Sequence, residues 1–454
     1  MLDPRSGSEG DADGGVVGGR RALATVVGIV FLDLLGFGIV IPILPFYVRS
    51  FGASDVVYGL LAASYSLMQF VAAPYLGRLS DERGRRPVLM LSLLANAVAW
   101  TVFGLAGELE TAIGTTAAIA TLFAARMLAG AMGGNIAAAQ AYIADVTPPE
   151  RRAGALGLIG AAFGLGFVFG PAFGSVLASD PVVGAAGRVL PDVIPATRFS
   201  LPSFGAAAFS IVAFLAAAAF LKEPDRTRSS AAKVGLVGQF RTALASATLR
   251  PLVIAFLVAS IAFSGVQVIF IPFVADIYGF DASGAGLLLT YIGALGVVNQ
   301  GVVVGRLSRR YRDLSLAVAG AVLLVAALAL LPFSPAVGAL LLGDLTLAGV
   351  DAATIALLGV LALLSTGNGL LNVALSTLVS RSASEDEQGA AFGVTQGAGS
   401  LGRTVGPPFM AALYVTAYWS PFALGAVLTV GIVALLLGMR RVERGGPDPE
   451  STTG

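Results

Sequence analysis

Three charged side chains stand inside long apolar stretches of this chain: Asp33, Arg126 and Arg403. Asp33 lies in Phe31-Leu32-Asp33-Leu34-Leu35-Gly36-Phe37-Gly38, about eleven residues into its stretch, hence roughly 16 Å along a helix rising ~1.5 Å per residue. A carboxylate at that depth is costly unless it is paired, hydrated or protonated. A group held at that balance can load or release a proton when its access or its neighbours change. The functional reading of Asp33 is therefore proton coupling, and the alternative is a structural pair with no part in turnover. Arg126 needs an acid, water or backbone carbonyls, and Asp33 is the acid its own half offers. Arg403 sits fourteen residues into its stretch, in a half with no intramembrane acid. Three roles stay open for it: holding an anionic substrate group, pairing with Asp33 in one state, or bonding backbone carbonyls.

Amides recur in the same apolar stretches. Asn135, Gln140, Gln267, Asn299, Gln300, Asn368, Asn372 and Gln396 are candidates to line a cavity. Such side chains also join helices to one another at about 0.6 kcal/mol each. Asn299-Gln300 is the pair best placed to meet a ligand.

The elements that position these residues follow from composition. Of 454 residues, 56% are apolar and 12% charged, with a mean hydropathy of +0.85. A soluble domain carries about 25% charge, so this is an integral membrane protein. Cys and His are absent, which excludes disulfides, thiol chemistry and the usual zinc, haem and iron–sulfur ligands. No metal and no cofactor are expected. The net charge of +1 provides no surface for nucleic acid. The expected partners are the lipid bilayer, a small-molecule substrate and protons. Few intramembrane charges are present and none form an acid–base pair on one helix, so enzymatic activity is not expected.

A helix needs about 20 apolar residues to cross the membrane. Twelve such spans are expected, near 22–48, 57–78, 87–106, 115–144, 153–178, 203–221, 251–275, 285–304, 314–332, 353–379, 389–413 and 420–439. The interval 333–352 reads as a loop partly resting on the membrane surface. This gives a cytoplasmic tail (1–21), a six-helix bundle (22–221), a cytoplasmic central loop (222–250), a second six-helix bundle (251–439) and a second cytoplasmic tail (440–454). The tails are rich in Ser, Gly, Asp, Glu and Pro and read as short disordered ends. Counting Lys and Arg outside the spans, twenty-three fall with the tails and even-numbered junctions and three (Arg49, Arg188, Arg198) on the other side. The positive-inside rule then puts both termini in the cytoplasm. The first stretch lacks a small-residue cleavage site and runs too long for a signal peptide, so it is a span. Two Lys beside 26 Arg suggest a GC-rich prokaryotic genome.

The two halves echo each other. Pro45-Phe46 recurs as Pro272-Phe273 and Gly59-Leu60-Leu61 as Gly286-Leu287-Leu288, both 227 positions on. Gly77-Arg78-Leu79-Ser80 recurs as Gly305-Arg306-Leu307-Ser308, and Gly157 with Gly170-Pro171 recurs as Gly393 with Gly406-Pro407. Duplicated helical bundles around a central cavity are the architecture of a rocking transporter, with the ligand near the midplane.

At the junction of spans two and three stands Gly77-Arg78-Leu79-Ser80-Asp81-Glu82-Arg83-Gly84-Arg85-Arg86-Pro87. It resembles the G-x-L-x-D-x-x-G-R-R signature of the major facilitator superfamily, with Glu82 where the family usually has a basic residue. Gly77, Asp81, Gly84, Arg85 and Arg86 are, by that resemblance, the gating motif. In span five, Gly166, Gly170, Pro171 and Gly174 allow close helix approach and bending. Their G-x-x-x-G-P-x-x-G pattern resembles the motif of the superfamily's drug:proton antiporters, with Ser175 replacing its last Gly. The Asp33 segment, Tyr65-Ser66-Leu67-Met68-Gln69 and Ala141-Tyr142-Ile143-Ala144-Asp145 look like tetracycline/proton antiporters, and Arg126 matches R-x-x-x-G-x-x-G. The resemblance covers roughly 22–441 and is more specific in the first half. It implies that Asp33 and Gln69 face the cavity. Asp33 and Arg126 are expected to couple protons, and Gln69, Asn135, Gln267, Asn299, Gln300, Asn372 and Arg403, the last not foreseen by the resemblance, are the residues expected to line a substrate cavity. The resemblance also implies export of a small, largely apolar compound, tetracyclines being among the candidates, in exchange for protons, at the plasma membrane. The alternative is a proton-coupled transporter of a metabolite or organic anion, with Arg403 as the anion site.

Overall fold

The computed structural model describes residues 10–133, 135–224, 236–347, 349–382 and 388–445. The parts of the tails and central loop outside those ranges lie outside the described residues, as does the expectation of disorder there. In hydrocarbon every backbone polar group must be satisfied within the chain, and a helix does this segment by segment. The described residues are accordingly helical, without a strand beyond one isolated bridge between Leu347 and Val350.

Among the described residues, eleven helices are long and apolar enough to span a membrane. They are α1 (Arg21–Val40), α2 (Asp55–Arg83), α3 (Arg85–Gly104), α4 (Thr115–Val146), α5 (Gly154–Ala178), α6 (Ser200–Phe220), α7 (Leu249–Tyr278), α8 (Ala282–Leu307), α9 (Asp313–Leu342), α10 (Ala352–Ser382) and, after one further helix, α12 (Ser420–Met439). That further helix, α11 (Gln388–Thr416), has 29 residues, and its glycines, hydroxyls and Arg403 dilute its apolar content. The twelve-span architecture read from the sequence is thus present.

Three local details differ from the sequence reading, each for a backbone reason. The first stretch does not continue to residue 48: α1 stops at Val40, and a turn at Ile41-Pro42-Ile43 starts a separate short helix, Leu44–Ser50. Pro42 has no N–H for a continuing helix. α4 is interrupted at Gly133, between Thr115–Met132 and Asn135–Val146. The interval 333–352 is not all loop. After a 3₁₀ turn at Leu331–Phe333 the helix resumes over Ser334–Leu342, where Ser334 Oγ donates to the Leu331 carbonyl, and it ends at Gly343 (φ +58°).

The chain forms two compact units, Met1–Ile43 with Met68–Ser230 and Leu44–Leu67 with Ala231–Gly454. The division falls inside α2. In the first unit α1 packs on α5 and α6, and α3 on α4 and α6. Its core includes Leu34, Leu93, Ala139, Tyr142 and Ile143. In the second unit α7 packs on α11 and α12, and α9 on α10 and α12.

Backbone contact sets the closest of these packings. A Cβ on Gly170 would lie 2.6 Å from Gly38 Cα, and one on Gly166 would lie 2.8 Å from Leu34 Cβ. The span-five glycines therefore bring α5 onto α1 within a turn of Asp33. Gly406 and Gly402 do the same in the second unit, where added Cβ atoms would meet the backbone at Ile261.

Candidate functional site

Asp33 is partly buried on α1 and meets two amides from neighbouring helices of its unit. Asn96 on α3 donates Nδ2 to Asp33 Oδ1 at 2.8 Å, and Asn135 on α4 donates Nδ2 to Oδ2 at 2.9 Å. Each carboxylate oxygen thus has its own N–H donor, an arrangement that fits the ionised acid. Among the described residues, neither buried Oδ1, of Asn96 or of Asn135, receives a hydrogen bond. A proton on Asp33 would supply the missing donor if either amide turned its oxygen inward, so the pair suits both states of the acid.

Arg126 is 5% exposed, and its guanidinium carbon lies 5.6 Å from the Phe37 ring and 5.8 Å from the Trp100 ring. Phe37 stands one turn beyond Asp33. Cation–π contact lowers the cost of keeping this charge inside a span. Gln69 donates to the Gly133 carbonyl at 3.4 Å, at the interruption of α4.

The α2–α3 junction is a charge cluster centred on Arg85. Its guanidinium reaches Asp81 at 2.6 Å, Ser80 at 3.1 Å and Asp145, at the end of α4, at 3.1 Å. Beyond it, Glu223 caps the start of α3, accepting from the backbone N–H of Arg85 at 2.7 Å and of Arg86 at 2.9 Å. Carboxylates are favoured at that end of a helix. Gly84 has φ +120°, and a Cβ there would lie within 2.9 Å of the Glu223 carboxylate. Arg86 donates to the Ala218 carbonyl and Tyr142 to that of Lys222, tying the end of α6 to the same place.

In the second unit Arg403 donates Nη2 to Ser400 Oγ at 2.9 Å. Asn299 is buried, heads a π-helical turn (Asn299–Val304) in α8 and donates to Ser365 Oγ at 3.2 Å. Turns of this kind are often found at functional sites. Asn372 donates to Asn368 Oδ1 at 2.8 Å, while Gln267, Gln300 and Asn372 are exposed. Arg49 gathers a polar cluster in the same unit. It donates to both oxygens of Asp55 (2.8 and 2.7 Å) and of Asp276 (2.7 and 2.9 Å), and Tyr414 donates to Asp276 at 2.8 Å. Hydrogen bonds to Asp55 push the Arg49 guanidinium above its already high ordinary value.

Asn96, Glu223 and the Arg49 cluster were not singled out from the sequence. Asn96 did carry a signal, an amide in an apolar stretch, the same as Asn135. Glu223 and Asp276 carried none, because their partners are far away in the chain.

A profile of the Major Facilitator Superfamily matches residues 26–365. The class C tetracycline resistance protein of Escherichia coli is 30% identical over 434 residues, covering 94% of this chain and 97% of that protein. Multidrug resistance protein 1 of Bacillus subtilis is 27% identical over 405 residues, covering 89% and 92%. Among solved structures, the human organic anion transporter MFSD10 (TETRAN) matches with a TM-score of 0.62 at 23% identity, covering 92% of this chain and 99% of that one. Twelve spanning helices and these likenesses define a multi-pass membrane transport protein with a small-molecule substrate. The chain belongs to the major facilitator superfamily.

Proposed function

We propose that this protein exports a small, largely apolar, drug-like compound, tetracyclines being among the candidates, in exchange for protons by alternating access. The observation that carries the reading is the Asp33 carboxylate inside α1, flanked by two amides that each keep a buried oxygen in reserve. An outward-open state admits a proton to Asp33, and an inward-open state gives that proton up as substrate binds. Coupling requires substrate and proton to disfavour each other's binding. Arg126, on the part of α4 before the interruption at Gly133, is assigned a part in proton coupling within Asp33's own unit. The packing of Gly166, Gly170 and Gly174 against α1 supports a role for α5 in transmitting movement at the site. Gln69, Gln267, Asn299, Gln300, Asn372 and Arg403 are the residues assigned to the substrate path. Gly77, Asp81, Gly84, Arg85 and Arg86 form the gate between α2 and α3.

Two of the similar proteins are named as tetracycline and multidrug resistance proteins, which supports a drug-like substrate, and the bundles are taken as 22–221 and 251–439. Both termini lie in the cytoplasm of a prokaryotic cell on this reading, supported by the bias of twenty-three basic residues against three. The chain has no cysteine, so single cysteines introduced at either tail can be labelled from one side of the membrane to test the orientation.

The functional test uses everted vesicles holding an internal-pH dye, energised and then challenged with tetracyclines, lipophilic cations and carboxylates. Proton release on addition of one compound, lost in Asp33→Asn, supports antiport. Unchanged release in Asp33→Asn refutes the role of Asp33.

A further inference from the structure

The internal repeat places a hydroxyl where the first half has its acid. At the offset of 227, Asp33 corresponds to Ser260 and Gly38 to Gly265. Packing obeys the same relation. Gly38 lies against Gly166 and Gly170, and Gly265 lies against Gly406, while Gly402 lies against Ser260 and Ile261. The second unit therefore repeats the α1–α5 contact in its α7–α11 contact, with Ser260 at the acid's position.

What stands beside Ser260 is a cation. Gly399 has no side chain, and the point its Cβ would occupy lies 3.3 Å from Ser260 Oγ and 3.4 Å from Arg403 Nη1. Both polar atoms therefore border the face of α11 that Gly399 leaves without a side chain. Ser400 Oγ is already held by Arg403 Nη2. No carboxylate neutralises this charge among the described residues. The acids within the unit's spans are engaged elsewhere, Asp55 and Asp276 by Arg49, and Asp313 by Arg381 at 2.8 Å.

We infer that Arg403, Ser400 and Ser260, gathered over Gly399, form a subsite for an anionic oxygen of the transported compound, a carboxylate or acidic enol on an apolar body. A guanidinium inside a span is costly without a counter-charge, and its planar fork matches two oxygens of a carboxylate. The hydroxyls add donors that a neutral group would use less well. The inference rests on the reading of this chain as an exporter and names the charge of what it exports. Exchange of such an anion for a proton moves charge in one direction only, so membrane potential and pH gradient drive it together.

The test is equilibrium binding to the full chain in phosphatidylcholine nanodiscs, with 2-naphthoate and its neutral carboxamide as probes. The carboxylate is expected to bind roughly tenfold or more tightly than the amide. Arg403→Gln should remove the preference and Arg403→Lys should keep part of it. Gly399→Ala, which leaves the charge in place, should weaken the carboxylate and spare the amide. Equal affinities in the unaltered protein, no carboxylate binding, or a preference that survives Arg403→Gln each overturn the subsite. Loss of the preference when phosphatidylglycerol is added also overturns it, because the occupant is then a lipid headgroup. Asp33→Asn separates the two readings: it should abolish proton exchange yet keep the carboxylate preference. If exchange persists in that variant, the proton site is refuted while the binding preference still decides the anion subsite.

Discussion

Arg49 and Asp276 stand 227 positions apart, the offset of the internal repeat, and they bond each other through two hydrogen bonds of 2.7 and 2.9 Å. Position 49 of the first half is thus paired with its own repeat equivalent, with opposite charge. Asp55 and Tyr414 complete the cluster.

Asp55 is the more buried of the two acids, with its side chain 10% exposed against 42% for Asp276. Hydrogen bonds to charged groups contribute about 1.5–3 kcal/mol, and exposure reduces this toward ~1 kcal/mol or less. Asp55→Asn should therefore lower stability more than Asp276→Asn, measured by thermal unfolding in detergent. Arg49 is raised in the folded state from a value already far above neutrality, so its contribution is present in full below that unfolded value and is lost only in strong alkali.

Removing one donor from the proton site should slow exchange, and removing both should approach the effect of losing the acid. Asn96→Leu and Asn135→Leu are each expected to cut proton-coupled transport by about tenfold, the equivalent of one charged hydrogen bond of ~1.4 kcal/mol. The two share one carboxylate, so the double variant should depart from additivity. Additive losses, with Asp33→Asn no worse than either single variant, would show that the amides act independently of the acid.

The helix contact beside Asp33 predicts a contrast between glycines of α5. Gly170→Ala places a Cβ 2.6 Å from Gly38 Cα, so backbone must shift, at a cost of about 1–3 kcal/mol. Gly160 has nothing within 4 Å of its added Cβ, and Gly160→Ala should be neutral or stabilising by about 0.5–1 kcal/mol. Melting temperatures of the two purified variants decide this, and equal values would mean that α1 and α5 do not touch as described.

At the α2–α3 junction, Glu223→Gln should cost less than Glu223→Ala. Gln keeps an acceptor for one of the two N–H groups, whereas Ala leaves both bare, at about 0.5–2 kcal/mol for a lost cap. Gly84→Ala should be worse than either, because its φ of +120° is unfavourable for a residue with a Cβ and Glu223 fills the space. Protection of the Arg85 and Arg86 amides in hydrogen exchange reports the cap directly.

Much of this protein follows from the sequence alone because the bilayer imposes few solutions. Long apolar stretches must be helices, and the repeat fixes which helices correspond, whereas the breaks at Ile41-Pro42-Ile43 and Gly133 emerge only in the folded chain. The depth of Asp33 and the strangeness of Arg403 are likewise legible, since a charge in an apolar stretch is expensive wherever it ends up. Position along the chain says nothing, however, about which side chains meet across helices. Asn96 reaches Asp33 across 63 residues, Glu223 reaches the start of α3 across 138, and Arg49 reaches Asp276 across 227. Helix rotation and close glycine packing set those pairings. They are properties of the folded bundle, as are the continuation of α9 to Leu342 and the Ser260 hydroxyl beside Gly399.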